Sequence, residues 1–496
     1  MPTMIRLLAS CMTIICMSAV VTVPAAEIIT NEVLSVSCDQ GQYAVQVRGQ
    51  VKPFANGRLR LSGGTVSVIT VKHADFGNGQ AIQIVATDGS SEVFQLFPKL
   101  PFVLYAATLA NPGTEAVELN KVPMMDLALD LGVPPTQLKA LGTGGLRSAH
   151  ETIPGFFAWM ALADPRTRNG VVAGWLTHEH ATGLVFAKAD GDRMTLAPRL
   201  EYGHLRLDAG KTYATETFML GWFADTRLGM EAWADAVAKH LAITLPPMPV
   251  VYCTWYDNVH DGSSNEKYLA ELAAFAAKEL KPYGFSCVQI DDGWQMGNSK
   301  GNGPAKNFSQ YNPQGNYPSG MKATADNLRS LGLTAGLWML PFGGSWNDPF
   351  FEPHQEWFAK RKADGKPFDN EWGGTTLDMT EPGARTWVSG NITRASQDWG
   401  FKYLKLDGLS IGMGVKSTYA NDSWVEDDFG NAAFADPTKT NVDVFRDGLR
   451  LVRKAAGLDT FILGCCAPQN MRSYAGVFGL VNAMRMGPDN GGSWSA

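Results

Sequence analysis

The sequence predicts an N-terminal β-sandwich followed by a (β/α)8 TIM-type barrel. Residues 26–245 contain many short β-branched and aliphatic runs separated by Gly, Asn and Asp, which is typical of antiparallel sheets. The Pro-rich segment Pro246-Pro-Met-Pro249 then marks a domain boundary. From residue 246 to residue 496, strand-like and helix-like segments alternate, which indicates a parallel sheet and, most simply, a barrel.

The first 25 residues have the pattern of a cleavable secretory signal peptide. Arg6 precedes an apolar run from Leu7 to Val23, and small residues follow Pro24. This run is short for a stable transmembrane helix. We therefore expect a protein that is secreted or periplasmic and that has no stable membrane span.

The composition is that of a globular protein whose ligand is neutral. Hydrophobic residues make up 45% of the 496 residues and charged residues 18%. The net charge is −6 and the chain has no run of Lys or Arg, which argues against nucleic acid as a partner. Of the seven cysteines, Cys11 and Cys16 belong to the signal segment, and the others lack the spacing of a disulfide framework or a zinc site. The composition leaves homo-oligomerisation open.

The N-terminal domain contains clear candidate strands and ends in a candidate helix. The strands are predicted at residues 43–48, 65–71, 81–85 and 127–131, with turn-forming residues between them. Apolar residues recur at helical spacing over residues 228–241, directly before the Pro-rich boundary.

The C-terminal domain has the element order of a barrel. Strands are predicted at residues 250–254, 285–290, 333–338, 375–377, 401–406, 461–463 and 480–484, and helices at 266–280, 384–399 and 442–455. Gly284, Gly332 and Gly400 each precede a strand, at the position where glycine commonly ends a helix. The chain stops at Ala496, so we expect the barrel to be truncated before its eighth strand.

Chemically active side chains follow four of the predicted strands. They are Trp255, the Asp291-Asp292-Gly-Trp294 segment, the Lys405-Leu-Asp407 segment, and Arg485 with Asp489. Barrels present catalytic groups at the carboxyl ends of their strands, so these side chains are expected to converge. Carboxylates accept hydrogen bonds from hydroxyls and aromatic rings cover C–H faces, a combination that favours a polyhydroxylated neutral ligand.

Asp407 and Asp489 are candidates for the two carboxylates of glycoside hydrolysis. Such a pair must lie ~5–5.5 Å apart for retention of configuration or ~6.5–9.5 Å apart for inversion. Side chains alternate along a strand, so Lys405 and Asp407 share a face, and the ammonium of Lys405 is expected to keep Asp407 ionised.

These motifs resemble clan-D α-galactosidases, glycoside hydrolase families 27 and 36. The matching pieces, in the family's order, are Trp255 after the first strand, D-D-G-W at Asp291 to Trp294, G-L-W at Gly336 to Trp338, Y-L-K-x-D-G at Tyr403 to Gly408 and R-x-x-x-D at Arg485 to Asp489. The upstream β domain resembles the sandwich that precedes the barrel in family 36.

The resemblance implies a retaining double displacement without metal or organic cofactor. It implies that Asp407 is the nucleophile, that Asp489 is the acid/base, and that Asp291 and Asp292 bind O4 and O6 of a terminal α-galactoside. Lys405 and Arg485 would bind ring hydroxyls. The remaining positions that the resemblance assigns to the substrate pocket are Trp255, Trp294, Trp338 and Cys465, with Cys466 and Ala467 beside Cys465 where the family reads the substituent at C2.

Some features leave more than one activity open. The segment Met339-Leu-Pro-Phe342 lacks the glutamate that many family 36 members carry after G-L-W, which bears on linkage preference. Cys253-Thr-Trp255 echoes raffinose-type synthases, so transglycosylation competes with hydrolysis. The sequence also leaves open activity on α-N-acetylgalactosamine and carbohydrate binding without catalysis. His178-Glu-His180 lacks metal-site spacing and is predicted to be a polar strand edge.

Overall fold

A computed structural model describes residues 26–61, 63–151, 153–256, 265–298, 303–418, 424–465, 470–487 and 489. The predicted signal peptide, Cys466 and Ala467 lie outside the described residues. In the ranges given above, no helix combines the length and the apolar character that crossing a bilayer requires.

The N-terminal part consists of two antiparallel sheets packed face to face. Strand Leu34–Asp39 alternates buried and partly buried residues, as expected when one face of a sheet meets a core. One hydrophobic cluster combines side chains of both sheets, for example Val36 from the first and Ile84 from the second. The predicted β-rich region is therefore confirmed, with the apolar face of each sheet buried against the other.

The strands follow this order in space. In the first sheet they are Glu27–Thr30, Leu34–Asp39, Gln42–Val47, Ala55–Arg58, Leu127–Leu129, Arg193–Leu207, Thr182–Asp190 and Ile153–Phe157, with Val117–Pro123 also paired to Arg193–Leu207. In the second sheet they are Gly145–Ser148, Lys139–Gly142, Trp159–Ala163, Gly170–Trp175, Phe218–Phe223, Val103–Ala110, Ser91–Leu96, Gly77–Val85 and Thr65–His73, with Thr212–Ala214 also paired to Val103–Ala110.

The predicted helix before the Pro-rich segment is confirmed as Thr226–His240. The side chain of Asp225 caps its first turn by accepting a hydrogen bond from the Arg227 backbone N–H. Trp233 is buried against the outer face of the second sheet and donates its indole N–H to the Trp175 carbonyl, 3.3 Å away. This helix therefore covers the sandwich rather than the parallel sheet.

After residue 249 the chain forms a parallel sheet whose strands follow sequence order. These six parallel strands are Val250–Cys253, Phe285–Ile290, Thr334–Met339, Tyr403–Leu406, Phe461–Gly464 and Ala483–Met484. The helices among them are Glu266–Phe275, Met321–Ser330, Pro382–Thr393, Asn441–Ala456 and Ser473–Gly476. The predicted helices at 266–280 and 384–399 are confirmed, each continuing from its α-helix into a π-helical turn, Ala276–Leu280 and Arg394–Asp398.

The predicted barrel strand at residues 375–377 is wrong. Thr375–Thr376 pairs antiparallel with Gly343–Gly344, outside the parallel sheet, and strand Tyr403–Leu406 pairs directly with Thr334–Met339. Buried β-branched residues favour extended backbone, but here they form a short antiparallel ladder instead of a barrel strand. The strand that carries Lys405 is therefore the fourth parallel strand and not the fifth.

The number of strands in the barrel stays a prediction. The described residues contain six parallel strands that neighbour one another in sequence order, as the strands of a barrel do. Closure into eight strands, the expected truncation and the boundary at residue 246 are not tested by these elements.

A buried ion network joins the sandwich to the parallel-sheet domain. The guanidinium of Arg472 forms two hydrogen bonds to Asp427, at 2.7 and 3.0 Å, and an ion pair with Glu201 of strand Arg193–Leu207 at 2.5 Å. The side chains of all three are less than 5% exposed. The indole of Trp424 also donates to Glu201, at 3.3 Å. Because a buried charge without a partner is costly, each of these side chains must stay in position to pair with the others.

The segment His178-Glu-His180 forms a second contact between the two parts. It is a loop between strands Gly170–Trp175 and Thr182–Asp190 rather than the predicted strand edge. Glu179 pairs with Arg446 at 2.6 Å and His180 with Asp443 at 2.6 Å, both on helix Asn441–Ala456. Burial and the nearby Arg446 lower the pKa of His178 to about 3. The three side chains therefore all face helix Asn441–Ala456, with Arg446 next to both His178 and Glu179.

Replacing Arg472 with methionine should destabilise the chain by about 3–5 kcal/mol, because the buried carboxylate of Asp427 would lose its cation and Glu201 would keep only Arg199. Urea denaturation followed by circular dichroism measures this loss. The matched control is Lys322→Met, which removes an exposed helical ion pair with Asp326 and should change stability by about 0.5 kcal/mol or less. Equal losses in the two variants would contradict the structural role of the buried network.

Candidate active site

The candidate site lies at the carboxyl ends of the parallel strands. All four residues of strand Tyr403–Leu406 are buried, and Asp407 follows directly. The register places Lys405 beside Trp338 of the third strand and beside Leu463 of the fifth. The parallel register thus brings the predicted residues of neighbouring strands to one edge of the sheet.

Lys405 binds Asp291 rather than Asp407. Its Nζ lies 2.8 Å from Oδ2 of Asp291, and both side chains are about 5% exposed or less. The same oxygen accepts hydrogen bonds from Nε2 of Gln289 at 2.9 Å and from the thiol of Cys253 at 3.3 Å. Burial alone would lower the pKa of Lys405, but the charges around it, Asp291 foremost, raise the pKa above its ordinary value.

Trp338 and Gly408 both donate hydrogen bonds to the carboxylate of Asp407. Its Oδ2 accepts from the indole N–H of Trp338 at 2.9 Å, and its Oδ1 accepts from the backbone N–H of Gly408 at 2.8 Å. Gly408 has φ +60°, and a Cβ there would lie 2.6 Å from side-chain atoms of Leu340 and Ile411. Hydrogen bonds to a carboxylate stabilise its charged form. Asp407 is therefore oriented at a strand end as a nucleophile needs to be.

Asp292 lies beside two residues that the sequence did not indicate. Nε2 of Gln295 donates to Oδ1 of Asp292 at 2.6 Å. Burial raises the pKa of Asp292, which the hydrogen bond from Gln295 and the positive charge of Lys306 partly offset. Gln295 thus orients the carboxyl, and the charge of Lys306 favours its ionised form.

Lys306 is a buried cation at the same edge. It is 3% exposed, and its Nζ donates to the Pro304 carbonyl at 2.8 Å. Burial lowers its pKa to about 8, although Asp292 and Asp369 act in the opposite direction. Gly374 leaves room for it, since a Cβ there would lie 2.3 Å from Cε of Lys306. A buried lysine whose pKa is lowered, next to a carboxyl, is typical of functional sites.

Asp489 is the more accessible of the two predicted catalytic carboxylates. Its side chain is 52% exposed, pairs with Arg485, and accepts from the Tyr256 hydroxyl at 3.1 Å. Nε of Arg485 also donates to the sulfur of Cys465 at 2.9 Å. Burial, and to a smaller degree Asp489, raises the pKa of Tyr256 to about 12, so its hydroxyl remains a donor.

The tryptophans divide into one exposed ring and two buried ones. Trp255 is 38% exposed and can meet a ligand, whereas Trp338 is 2% exposed. Trp294 donates its indole N–H to the Trp338 carbonyl at 2.9 Å, and its ring packs against Phe308 and Trp399. The structure therefore places Trp294 in the core, behind Trp338.

The predicted residues form three groups, and each side chain contacts another member of its group. They are Lys405 with Asp291, Trp338 with Asp407, and Asp489 with Arg485 and Cys465. Electrostatics links them, because Asp407 contributes to the raised pKa values of both Lys405 and Arg485. Two carboxylates with different exposure, held by fixed cations and donors, are suited to acid–base and nucleophilic chemistry on a hydroxylated ligand.

Tyr256, Gln289, Gln295 and Lys306 are the site residues that sequence reasoning missed. Gln289 carries a usable signal, since it shares a strand face with Asp291 two residues later. The other three have no such signal. Tyr256 ends the 3-10 helix Thr254–Tyr256, Gln295 belongs to a two-residue strand and Lys306 lies in a loop, where no periodicity fixes the direction of a side chain.

No protein-family model matches the chain. Curated relatives match part of it, among them an α-galactosidase and a galactosaminidase. An α-galactosidase of Escherichia coli is 25% identical over 185 residues, which cover 36% of this chain and 25% of that protein. An A type blood α-D-galactosamine galactosaminidase of Flavonifractor plautii is 25% identical over 204 residues, 39% of this chain and 18% of that protein. The match thus spans a quarter or less of each relative.

Solved structures of α-galactosidases are similar over most of the chain. The enzyme from Lactobacillus brevis has a TM-score of 0.62 at 13% identity, covering 92% of this chain and 72% of that one. A family GH36 α-galactosidase of Geobacillus stearothermophilus, solved with 1-deoxygalactonojirimycin, has a TM-score of 0.58 at 14% identity, covering 89% and 72%. The resemblance read from the motifs is confirmed, and the chain shares the fold of these proteins.

Lys306→Met should stabilise the chain at pH 7 by about 2–3 kcal/mol, since a folded-state pKa of about 8 instead of 10.5 disfavours the charged amine. Between pH 8 and pH 10.5 the unfolded chain binds more protons than the folded one, so this gain should shrink as pH rises. Urea denaturation at pH 7 and pH 10 measures it. Lys322→Met, at an exposed position, should show no such pH dependence. A pH-independent effect at Lys306 would contradict the lowered pKa.

Proposed function

We propose that the chain is a retaining glycoside hydrolase that releases terminal α-linked galactose, with Asp407 as nucleophile and Asp489 as acid/base. The observation that carries the proposal is the doubly hydrogen-bonded carboxylate of Asp407, fixed by Trp338 and Gly408 beside a buried ammonium. The names of the relatives support the choice of sugar.

In the first step, Asp407 attacks C1 of the galactosyl group while Asp489 protonates the departing glycosidic oxygen. The C1–O bond breaks, a glycosyl ester of Asp407 forms, and the aglycone leaves as an alcohol. In the second step, Asp489 removes a proton from water, which attacks C1 and frees Asp407. The configuration at C1 is inverted twice and is therefore retained.

The different surroundings of the two carboxylates support these roles. A nucleophile needs a fixed, ionised oxygen, and Asp407 is 7% exposed with a donor on each oxygen. An acid/base must exchange protons with water, and Asp489 is half exposed, with Tyr256 and Arg485 to orient it. Arg485 also stabilises negative charge on either carboxylate.

Recognition of galactose is proposed to rest on the adjacent acids. Asp291 and Asp292 would accept hydrogen bonds from O4 and O6, and the ammonium of Lys405 would donate to a ring hydroxyl. The buried pair of Lys405 and Asp291 supports this assignment, because its atoms are already desolvated and fixed before a ligand arrives. Trp255 offers an exposed ring for the sugar face.

A second candidate function is release of α-linked N-acetylgalactosamine or galactosamine. The Flavonifractor plautii relative is named for that type of substrate. The resemblance places recognition of the C2 substituent at Cys465. This residue is buried and its sulfur accepts a hydrogen bond from Arg485. Transglycosylation and binding without catalysis compete with both functions, and product analysis separates them. Export, as the signal-like residues 1–25 suggest, is part of the proposal.

Replacing the two carboxylates should have different consequences for different leaving groups. Asp407→Asn should reduce hydrolysis of every α-galactoside by several orders of magnitude, because no nucleophile remains. Asp489→Ala should slow raffinose hydrolysis by about 10²–10⁴-fold but affect p-nitrophenyl α-galactoside far less in its first step, since p-nitrophenolate leaves without a proton. Steady-state and burst kinetics on both substrates measure this.

Controls for these assays identify the sugar and the stereochemistry. The aryl α-glucoside and aryl α-N-acetylgalactosaminide are assayed alongside, and NMR of the first-formed sugar should show the α-anomer. Full activity of Asp407→Asn, or a β-anomer as first product, would refute the double displacement. Turnover of the N-acetylgalactosaminide alone would favour the second candidate function.

Trp338→Phe should lower kcat by about 10–100-fold, since a hydrogen bond to a charged group contributes about 1.5–3 kcal/mol. The pH–rate profile should also shift its acidic limb upward, because Asp407 would lose a donor that favours its ionised form. Trp399→Phe is the matched control, since that ring packs on Trp294 away from the carboxylates. An unchanged kcat and pH profile in Trp338→Phe would contradict the orienting role.

A further inference from the structure

Three potential metal ligands meet on the sandwich, outside the strands of the parallel sheet. His73 ends strand Thr65–His73, Asp75 lies in the turn that follows, and His240 is the last residue of helix Thr226–His240. One ligand atom from each of the three lies within 4.8 Å of the other two. None of them has a role in the proposed hydrolysis.

The distances within this cluster suit a small divalent ion. Oδ2 of Asp75 lies 2.8 Å from Nδ1 of His240 and 3.5 Å from Nδ1 of His73. Ligands at about 2.0–2.2 Å from a tetrahedral zinc ion are themselves about 3.3–3.5 Å apart. Small rotations of the imidazole and the carboxylate would therefore bring all three donors to bonding distance.

The Nδ1 atom of His73 has a lone pair available for a metal ion. It accepts a hydrogen bond from the Asp75 backbone N–H at 3.1 Å, so this nitrogen carries a lone pair that an ion would take over from that donor. The ring stacks on Phe76 at 4.6 Å and meets Phe97 edge-on, which limits its motion.

We propose that His73, Asp75 and His240 bind a divalent transition-metal ion of the zinc class, with its remaining position open to water. Two imidazoles and one carboxylate are preferred zinc donors, and three protein ligands leave such a position. A hydrogen bond between Asp75 and His240 needs only one imidazole. Here the imidazole of His73 faces the same oxygen, and the centroids of the His73 and His240 rings are 5.9 Å apart.

Solvent and space are available at the cluster. The three side chains are 21–26% exposed, so an ion can enter while most of each donor is desolvated. Asp75 also lines a cavity of about 600 Å³, together with Lys99, Asp235 and Lys239. Lys239 precedes His240 in the sequence, and its ammonium lies 5.7 Å from the centroid of the Phe76 ring. The ion would join the sandwich strand to the helix and stabilise their contact.

The test is a measurement of zinc binding by the full chain. The chain is first treated with a chelator to remove metal and is then titrated with Zn²⁺ alone in a calorimeter. We expect one equivalent to bind, and the affinity should fall at least 100-fold in His73→Ala and in His240→Ala. His180→Ala is the matched control, because His180 also pairs with an aspartate, Asp443 at 2.6 Å, but lies outside the proposed metal site. It should bind zinc as the unmodified chain does.

A second measurement covers variants that fail to fold. Zn²⁺ should raise the melting temperature of the unmodified chain by an amount that grows with its concentration, and Co²⁺ should give visible absorption of a nitrogen- and oxygen-ligated site. Absence of both signals in the unmodified chain overturns the proposal. So does zinc binding that survives in the folded His73→Ala, His240→Ala double variant, since the ion would then be held by other side chains, such as thiols.

Discussion

The buried ion pair between Lys405 and Asp291 is the interaction on which the candidate site depends. It joins the second and fourth parallel strands across the third, at the edge where the other polar groups gather. Neither charge would be tolerated there alone, since an unpaired buried ion costs several kcal/mol. The pair therefore constrains strand register, and the register in turn positions Trp338 against Asp407.

The sequence predicted the parts of the site that depend on periodicity. Strand alternation put Lys405 and Asp407 on one face, and a run of buried residues followed by Asp291-Asp292 indicated a strand end. The partner of Lys405 was not predictable in the same way, because a four-carbon side chain can reach across to a neighbouring strand. Its charge still acts on Asp407, but its hydrogen bond goes to Asp291.

Elements of the fold were likewise predictable where they depend on periodicity and not where they depend on tertiary contacts. The strand at Phe285–Ile290 and the helix Asn441–Ala456 agree with the pattern, since the strand ends in four consecutive buried residues and the helix buries an apolar stripe. Thr375–Thr376 did not, because two β-branched residues favour extended backbone in any sheet and cannot specify which one. The cluster of His73 and His240 has no local pattern at all: Asp75 and His240 are 165 residues apart.

The loop that follows the fourth parallel strand is held by the sandwich as well as by its own domain. Beyond the pairing of Asp427 with Arg472, Lys121 bonds Glu426 at 2.6 Å and Asn120 donates to the Phe429 carbonyl at 3.2 Å. The segment that begins at Asp407 is thus partly built by the other half of the chain. A foreign sandwich would therefore have to supply side chains that match those of this loop, and we expect substitutions on the two contacting surfaces to occur together.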